Sequence, residues 1–250
     1  MSKPEPIIEF IDIHKSFNDN KVLNGIDLAI YRGETITIMG GSGIGKSVLL
    51  KLLLGLIRPD KGRILFEGKD IAAMDEGELI GIRKKIGMLF QGSALFDSLT
   101  VYENVAYALR EHLNLKEEEI KKRVREKLGL VGLEDVEDKK PAELSGGMKK
   151  RVGLARAIAI EPEVILYDEP TTGLDPTNSR RINSLIKELQ RVLKVTSIVV
   201  THDIKSAYEV SDRIALIYEG RIKKAGAVKD FKITEDEVVA GFLNGTMESA

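Results

Sequence analysis

Short apolar segments alternate with polar turns over the first ninety residues of the chain. IIEFIDI (7–13), GIDLAI (25–30) and ETITIM (34–39) each predict a strand. The third runs through the glycine-rich sequence GGSGIGKS into the apolar run VLLKLLLGLI, which predicts a strand, a loop and a helix in succession. GRILFEG (62–68) and KKIGMLFQ (84–91) predict two more strands.

From about residue 102 the apolar spacing becomes helical. In KEEEIKKRVREKLGLVGL the apolar side chains fall on one face of a helix and charges cover the rest, as shown by Ile120, Val124, Leu128 and Val131. Strand patterns return in EVILYDE, TSIVVTHD and RIALIYEG, with the helical pattern PTNSRRINSLIKELQRVL between the first two. Alternating strands and helices predict a mainly parallel sheet covered on both faces.

The helical block interrupts this alternation and is therefore predicted to be a subdomain inserted into an α/β core. The predicted boundaries give a β/α core at 1–91 and 161–226, a helical subdomain at 92–160 and a C-terminal tail at 227–250.

Composition excludes several classes of protein. The 38 Lys and Arg residues nearly cancel the 39 Asp and Glu residues, so the basic field of a nucleic-acid-binding domain is absent. Without cysteine the chain forms neither disulfides nor thiolate metal sites. The N-terminus lacks the pattern of a secretory signal, and no run approaches the ~18 apolar residues that a membrane helix needs. We therefore expect a soluble chain in the cytoplasm, still able to dock on a membrane protein.

The candidate chemistry begins at GGSGIGKS, which fits the phosphate-loop pattern G-x-x-x-x-G-K-S. Glycines let successive backbone N–H groups face an anion, and the following helix N-terminus adds positive partial charge. We expect Lys46 to reach the β- and γ-phosphates and the Ser47 hydroxyl to ligate Mg²⁺. The predicted phosphate-binding residues are Gly40, Gly41, Ser42, Gly43, Ile44, Gly45, Lys46 and Ser47.

Two carboxylates end the apolar strand VILYDE. Asp168 and Glu169 stand at its carboxyl end, where ligands of open α/β sheets collect. We expect Asp168 to hold the Mg²⁺ that bridges the phosphates, and Glu169 to polarise the attacking water as general base. Alone, such a pair is more often a solvated strand end, but the upstream phosphate loop favours the catalytic interpretation.

Two more polar side chains end predicted strands. His202 ends SIVVTHD and is expected to contact the γ-phosphate, although a lone histidine is more often a structural hydrogen-bonding group. Gln91 ends IGMLFQ, where the core gives way to the helical block, and its amide can orient water or ligate Mg²⁺. Alone, Gln91 would be an ordinary surface glutamine.

LSGGMKKRVGLARAIA (144–159) contains a second candidate anion site. Ser145–Gly147 precede a basic amphipathic helix whose first N–H groups are exposed, although glycines at a helix start are also common as mere structure. The helical block would hold this loop away from the chain's own phosphate loop. The pattern therefore predicts a two-fold dimer in which the SGG loop of each protomer closes over the nucleotide of the other. Asp175, in TTGLDP, is predicted near that seam and as the cap of the helix beginning at Pro176.

In this order and spacing, the motifs resemble the ATP-binding subunits of ABC transporters over residues 7–226. The resemblance implies a phosphate-loop NTPase of the α/β class, with a RecA-like core, a mainly parallel sheet, an antiparallel β subdomain and an inserted helical subdomain. It also implies ATP hydrolysis with ATP and Mg²⁺ bound, and a head-to-tail homodimer around two ATP molecules.

The same resemblance implies roles for single residues. Gln91 is then the Q-loop glutamine, Asp175 the D-loop aspartate and His202 the switch histidine. The implied Mg²⁺ ligands are Ser47, Gln91 and Asp168. Phe17, in HKSF, fits the aromatic residue that stacks on adenine, and a core phenylalanine on a short strand is the alternative.

MLFQGSALFDSLTVYENVAY (88–107) and LSGGMKKRVGLARAIA look particularly like the ATPases of Mla/Mce-type phospholipid transport systems. Those ATPases typically carry methionine, as at Met148, where the general signature has glutamine. The signature residues expected to act on the partner's nucleotide are Ser145, Gly146, Gly147 and Met148. The γ-phosphate donors are expected to be the Ser145 hydroxyl and the Gly147 N–H, so the side chain at position 148 can vary.

The resemblance also implies partners. The dimer would dock beneath two copies of a membrane permease, whose coupling helices fit a groove near Gln91, with an Mce-domain lipid-binding protein in the same complex and no nucleic acid. The chain would then lie on the cytoplasmic face of the inner membrane and energise phospholipid transport.

Other functions stay open at this point. One is the ATPase subunit of an ABC transporter for amino acids or other small solutes. Another is a soluble ABC ATPase in nucleic-acid or cofactor-assembly work, which the single module and the absence of cysteine and of a basic face disfavour. A scaffold that binds ATP without hydrolysing it is disfavoured by the presence of Glu169 and His202.

The C-terminal sequence ITEDEVVAGFLNGTMESA predicts one more helix. Thr234 and Glu237 fit a capping box, and four apolar residues follow on one face: Val238, Val239, Phe242 and Leu243. This stripe packs either on the chain's own core or, as a hypothesis, on the partner protomer, where it would support dimerisation.

Overall fold

A computed structural model describes residues 5–246 of the chain. The strands are β1 (Pro6–Phe17), β2 (Asn20–Tyr31), β3 (Thr35–Met39), β4 (Lys61–Phe66), β5 (Lys69–Asp70), β6 (Ile86–Leu89), β7 (Val164–Asp168), β8 (Thr196–Thr201), β9 (Arg213–Tyr218) and β10 (Arg221–Ala227). The helices are α1 (Lys46–Leu53), α2 (Glu76–Lys84), α3 (Val101–His112), α4 (Glu117–Leu130), α5 (Gly146–Ala157), α6 (Pro176–Leu193), α7 (Ile204–Val210), α8 (Val228–Lys232) and α9 (Glu237–Leu243), with single 3₁₀ turns at Ile71–Ala73 and Pro141–Glu143.

The chain divides into two compact units. The first contains the described residues up to Ile82 and those from Thr196 onward, and the second contains residues 83–195. The predicted division into core, helical subdomain and tail uses other boundaries and stays a prediction.

The first unit contains an antiparallel sheet in the order β2-β1-β4-β5. Alternating apolar residues of β1 and β2 point into its core, and Ile8, Ile13, Ile26 and Ile30 are fully buried. This sheet confirms the antiparallel β subdomain that the resemblance implied.

The first unit also contains the strands β10, β9, β3 and β8 as neighbours in that order. β3 pairs in parallel with both β8 and β9, and all five residues of β3 are buried. A parallel strand buried on both faces explains the unbroken apolar run TITIM. β10 pairs antiparallel with β9. It was not predicted, because RIKKAGA lacks the apolar alternation of a strand.

Helix α1 is shorter than the apolar run that predicted it. The run continues to Ile57, but the helix ends at Leu53. Gly55 has a φ of 63°, in the left-handed region, and a Cβ there would stand 2.8 Å from Leu79 Cδ2. The glycine therefore stops the helix and lets the side chain of Leu79 approach the backbone.

The C-terminal helix α9 packs on the chain's own core. Val239 is fully buried in a cluster with Met39 of β3 and Phe231 of α8, and Phe242 and Leu243 pack against the same cluster. The structure therefore favours the own-core alternative for the apolar stripe.

The predicted capping box of α9 is wrong. The N-cap is Asp236, whose Oδ1 accepts from the backbone N–H groups of Val238 and Val239 at 3.0 and 3.1 Å. The Thr234 hydroxyl instead accepts from Lys224 Nζ at 2.9 Å. The helix therefore starts later than the pattern suggested, because the carboxylate is the better partner for its first N–H groups.

The second unit holds the parallel pair β6–β7 and the helices α3 to α6. Ile120, Val124 and Leu128 of α4 are buried, which confirms the predicted apolar face. Thr100 and Glu103 form a capping box that starts α3. Among residues 5–246, the helices are all too short or too polar to cross a membrane.

Candidate functional site

The residues predicted to handle the nucleotide fall into two groups, one in each unit. Phe17, Gly40–Ser47 and His202 belong to the first unit. Gln91, Ser145–Met148, Asp168, Glu169 and Asp175 belong to the second. Each group has its own geometry.

In the first unit, Gly40–Ser47 comprises the loop after β3 and the first two residues of α1. The Lys46 ammonium donates to the carbonyl oxygens of Gly40 and Gly41 at 2.9 and 2.8 Å, so its side chain folds back across the loop. Lys46 is 6% exposed, whereas Gly41, Ser42 and Gly43 are exposed to solvent. This arrangement suits a polyphosphate, because the loop backbone is accessible and a cation lies inside it.

Two glycines of this loop are required by close approaches. A Cβ at Gly40 would stand 2.9 Å from the Ile217 carbonyl oxygen, and one at Gly45 would stand 2.7 Å from Val22 Cγ1. Gly45 also has a φ of 104° and forms the left-handed N-cap of α1. The phosphate-loop glycines therefore fix the start of α1, whose first N–H groups are directed into the loop.

His202 lies at the same edge of the sheet as the phosphate loop. β3 and β8 run in parallel with Met39 opposite Thr201, so Gly40 and His202 each follow one of two neighbouring strand ends. His202 is exposed. The structure thus brings together the phosphate loop and the predicted switch histidine within one unit.

Phe17 ends β1 with 45% of its surface exposed. The Lys15 ammonium lies 5.5 Å from the centre of the Phe17 ring. This exposure contradicts the alternative of a core phenylalanine and leaves ring surface for stacking on a base.

In the second unit, Gln91 and Asp168 lie at one edge. β6 and β7 are parallel with Leu89 opposite Tyr167, so the chain leaves both strands at the same end. Gln91 is exposed and Asp168 is half-buried. The predicted Q-loop residue and the strand-end carboxylate therefore belong to one cluster.

Glu169 is held in an unusual conformation. Its φ of 46° is in the left-handed region, and it is 9% exposed. The Thr172 hydroxyl donates to Glu169 Oε2 at 3.1 Å. A carboxylate fixed in this way on a strained backbone is typical of a functional position.

Lys150 connects Gln91 with Glu169. Its ammonium donates to the Gln91 carbonyl at 2.5 Å and to the Glu169 carbonyl at 3.2 Å. The side chain is 4% exposed. Burial lowers the pKa of Lys150, while the nearby charges of Asp168 and Glu169 act against that change.

The signature loop, Ser145–Met148, starts helix α5 as predicted. Ser145 is the N-cap, and its Oγ accepts from the Met148 N–H at 3.3 Å. The hydroxyl proton of Ser145 can still be donated to an anion, because a hydroxyl accepts and donates at once. Ser145 and Gly146 are exposed, and Met148 is half-buried. Met148 takes part in the cap through its backbone N–H.

Asp175 caps α6, as the sequence predicted. Its Oδ1 accepts from the backbone N–H groups of Thr177 and Asn178 at 2.9 and 3.0 Å. Hydrogen bonds from Asn178, the backbone N–H first, hold the pKa of the Asp175 carboxyl below its usual value.

Three residues of this cluster were not predicted from the sequence: Lys150, Thr172 and Asn178. A signal existed for Lys150, since helical spacing places it on the face of Gly147, Leu154 and Ala157, all of which are buried. The run KKR was instead predicted only as part of a basic amphipathic helix. No comparable pattern marks Thr172 or Asn178.

The structure describes no ready-made metal cluster. Among residues 5–246, no three His, Cys, Asp or Glu side chains are grouped so that they could hold a metal ion. Ser47, Gln91 and Asp168 offer a hydroxyl, an amide oxygen and a carboxylate. These hard oxygen donors are suited to Mg²⁺, which usually takes few protein ligands together with phosphate and water.

Comparison with known proteins identifies the family of the chain. The family described as ABC transporter matches residues 23–172. The intermembrane phospholipid transport system ATP-binding protein MlaF of Haemophilus influenzae is 41% identical over 96% of this chain and 90% of its own length. The probable ribonucleotide transport ATP-binding protein Mkl of Mycobacterium tuberculosis is 42% identical over 95% of this chain, which spans only 66% of Mkl.

Solved structures show the same fold. A dimeric ATP-binding cassette in a post-hydrolysis state with ADP and Pi matches with a TM-score of 0.81 and 34% identity, covering 88% of this chain and 98% of that one. The chain is a member of the ATP-binding cassette family of ABC transporters.

Proposed function

We propose that this chain is the ATP-hydrolysing subunit of a membrane transporter that moves phospholipid, of the Mla/Mce type. The observation that carries the proposal is the match to MlaF, which extends over nearly the full length of both chains. The probable ribonucleotide transport ATP-binding protein Mkl is equally similar in identity, and this chain spans 66% of its length. Two relatives named for phospholipid transport, from Haemophilus influenzae and Escherichia coli, support the phospholipid transporter.

The proposed ATP-binding residues are the ones that the sequence motifs predict. Gly40–Ser47 would bind the phosphates, with Ser47, Gln91 and Asp168 as oxygen ligands of Mg²⁺. His202 would contact the γ-phosphate, and Phe17 would stack on adenine. The exposed loop backbone around the Lys46 ammonium and the exposed ring of Phe17 support these roles.

In the proposed reaction, water attacks the γ-phosphorus and the bond from that phosphorus to the β–γ bridging oxygen breaks. Glu169 accepts a proton from the water, and ADP and inorganic phosphate leave. The Thr172 hydroxyl, bound to Glu169 Oε2, would orient the carboxylate for this step.

We further propose that two chains form a head-to-tail dimer, with the Ser145–Met148 loop of each completing the site of the other. The exposure of Ser145 and Gly146 and the cap at Ser145 support this role. The dimeric form of a related cassette is a second support. On this view the dimer binds a permease near Gln91, at the cytoplasmic face of the membrane, with an Mce-domain protein in the complex.

Purification of the tagged chain from detergent-solubilised membranes tests the transported substrate. The proposal predicts recovery of a polytopic permease, an Mce-domain protein and bound phospholipid, with no nucleic acid. Recovery with a soluble amino-acid-binding or sugar-binding protein would instead assign the chain to a small-solute transporter. A complex that binds radiolabelled ribonucleotide and lacks phospholipid would favour the Mkl function.

A further inference from the structure

Helix α5 carries a buried ammonium that neither the phosphate chemistry nor the signature loop uses. Lys150 lies one and a half turns after the N-cap Ser145. Both of its hydrogen bonds reach main-chain carbonyls, those of Gln91 and Glu169. An ammonium at 4% exposure is costly unless its protons find acceptors, so these two bonds hold the carbonyls in place.

A second side chain of α5 strengthens the same connection. Arg156 donates to the carbonyls of Ser93 and Ala94 at 2.9 and 2.7 Å. Ser93 and Ala94 have φ values of 63° and 47°, so the segment after Gln91 is a tight left-handed turn. α5 therefore holds the Gln91–Ala94 backbone at three carbonyls, two by Arg156 and one by Lys150.

The connection runs between two different nucleotides. In the proposed dimer, the Ser145–Met148 loop serves the nucleotide of the partner, whereas Gln91 and Glu169 serve the nucleotide of their own protomer. Lys150 is on the helix that begins at this loop, and its ammonium donates to the main-chain carbonyls of Gln91 and Glu169 in the same protomer. A shift of the loop toward the partner's ATP would therefore be transmitted to the backbone of the catalytic glutamate.

We infer that Lys150 is a positioning residue that couples the two ATP sites of the dimer. The inference rests on the proposed head-to-tail dimer. The proposed effect of Lys150 is on the cooperativity between the two ATP sites as well as on the rate of hydrolysis at each site. Removal of the ammonium would uncouple the sites, because the Glu169 carbonyl would lose its bond to α5, while Arg156 would still hold the turn after Gln91.

The test compares four versions of the full chain, in its purified transporter complex: wild type, Lys150→Met, Lys150→Arg and Lys127→Met. Lys127 is the matched control, since it is 2% exposed in the same unit but donates to Glu161, 63% of whose side chain is exposed. Steady-state hydrolysis is measured against ATP concentration, and thermal unfolding is followed in parallel.

Wild type is expected to show a Hill coefficient well above one. Lys150→Met should bring the coefficient to about one and lower kcat roughly tenfold or more, with a smaller change in KM. Lys150→Arg should restore cooperativity, because the guanidinium can donate to the same carbonyls. Lys127→Met should lower the unfolding temperature and leave the Hill coefficient unchanged.

Retained cooperativity in Lys150→Met would overturn the inference, as would an equal loss in Lys127→Met. Should Lys150→Met fail to fold, Lys150→Gln gives the same decision, because its shorter amide cannot reach both carbonyls. The dimer itself is tested separately by ATP-dependent association of a Glu169→Gln chain. If the Glu169→Gln chain dimerises with ATP but Lys150→Met keeps its cooperativity, the coupling role of Lys150 is contradicted and the proposed dimer is not.

Discussion

The backbone of Gly147 lies directly against the side chain of Asn178. A Cβ added to Gly147 would stand 2.6 Å from Asn178 Oδ1. The Nδ2 of the same amide donates to Asp175 Oδ2 at 2.5 Å. The Asn178 side chain thus contacts both the Ser145–Met148 loop and Asp175 within a protomer, and both segments are proposed to face the partner.

Gly147→Ala should impair both segments. The new methyl group would push Asn178 away, and the amide cannot move without losing its bond to Asp175. We expect ATP turnover to fall roughly 10- to 100-fold, as for other displacements of about an ångström near a reacting group. Steady-state ATPase rates of the purified complex provide the measurement.

A double-mutant cycle separates this steric effect from loss of the loop itself. Asn178→Ala opens the space that the methyl group needs, so Gly147→Ala should cost less in the Asn178→Ala background than alone. Strictly additive effects on the ATPase rate would show that the contact between the two residues has no energetic consequence.

Gly87 is predicted to be intolerant of any side chain for a reason of packing. A Cβ there would stand 2.2 Å from the Ala157 carbonyl oxygen, where β6 meets the end of α5. Gly87→Ala should therefore lower the free energy of unfolding by about 1–3 kcal/mol or more, since backbone must move. Gly129→Ala is the control: nothing lies within 4 Å of its Cβ position in α4, so it should stabilise by up to ~1 kcal/mol. Urea unfolding of both variants measures the difference, and equal stability of the two would contradict the packing argument.

Helix α9 should contribute to stability of the single chain. Val239→Ala removes two methyl groups from a fully buried site beside Met39 and Phe231, at a cost of roughly 2 kcal/mol. Val238→Ala, on the same helix but only half-buried, should cost much less. Thermal unfolding compares the two variants.

Because α9 packs on the chain's own core, weakening that packing should leave dimerisation unchanged. ATP-dependent association should be the same for folded Val239→Ala and wild-type chains at low temperature. Weaker association with an unchanged unfolding temperature would indicate that the tail packs on the partner protomer.

Tyr102 is predicted to titrate late. Burial, with help from a hydrogen bond to the Glu117 carboxylate, raises its pKa to about 12. Since the folded state favours the protonated phenol, the stability that this group contributes is complete below pH ~10 and is lost as the pH rises from about 10 to 12. The ultraviolet difference between wild type and Tyr102→Phe isolates its phenolate. A midpoint near the usual value would mean that the phenol is not held as the structure has it.

The site residues that could be predicted from the sequence are those marked by a local pattern, such as a polar side chain at the end of an apolar strand. Gly40 and His202 directly follow the parallel strands β3 and β8, and Asp168 ends the apolar strand β7. Local pattern also predicted the cap at Asp175, because its partners are two and three residues away.

The rest could not be predicted, because it depends on contacts between distant parts of the chain. Lys150 meets the Gln91 carbonyl across 59 residues, and main-chain carbonyls have no sequence signature. The apolar stripe of α9 showed which face is buried, but not that Met39 and Phe231 would cover it. Periodicity identifies a buried face and is silent on its partner.

In the proposed dimer, each chain supplies half of each ATP site. Sedimentation velocity of the Glu169→Gln chain with ATP and Mg²⁺ tests this arrangement, because loss of the general base should trap the bound state before hydrolysis. We expect a dimer with ATP, a monomer without it, and a monomer when Lys46→Met is added to prevent phosphate binding. A Glu169→Gln chain that binds ATP and stays monomeric at saturating nucleotide would contradict this arrangement.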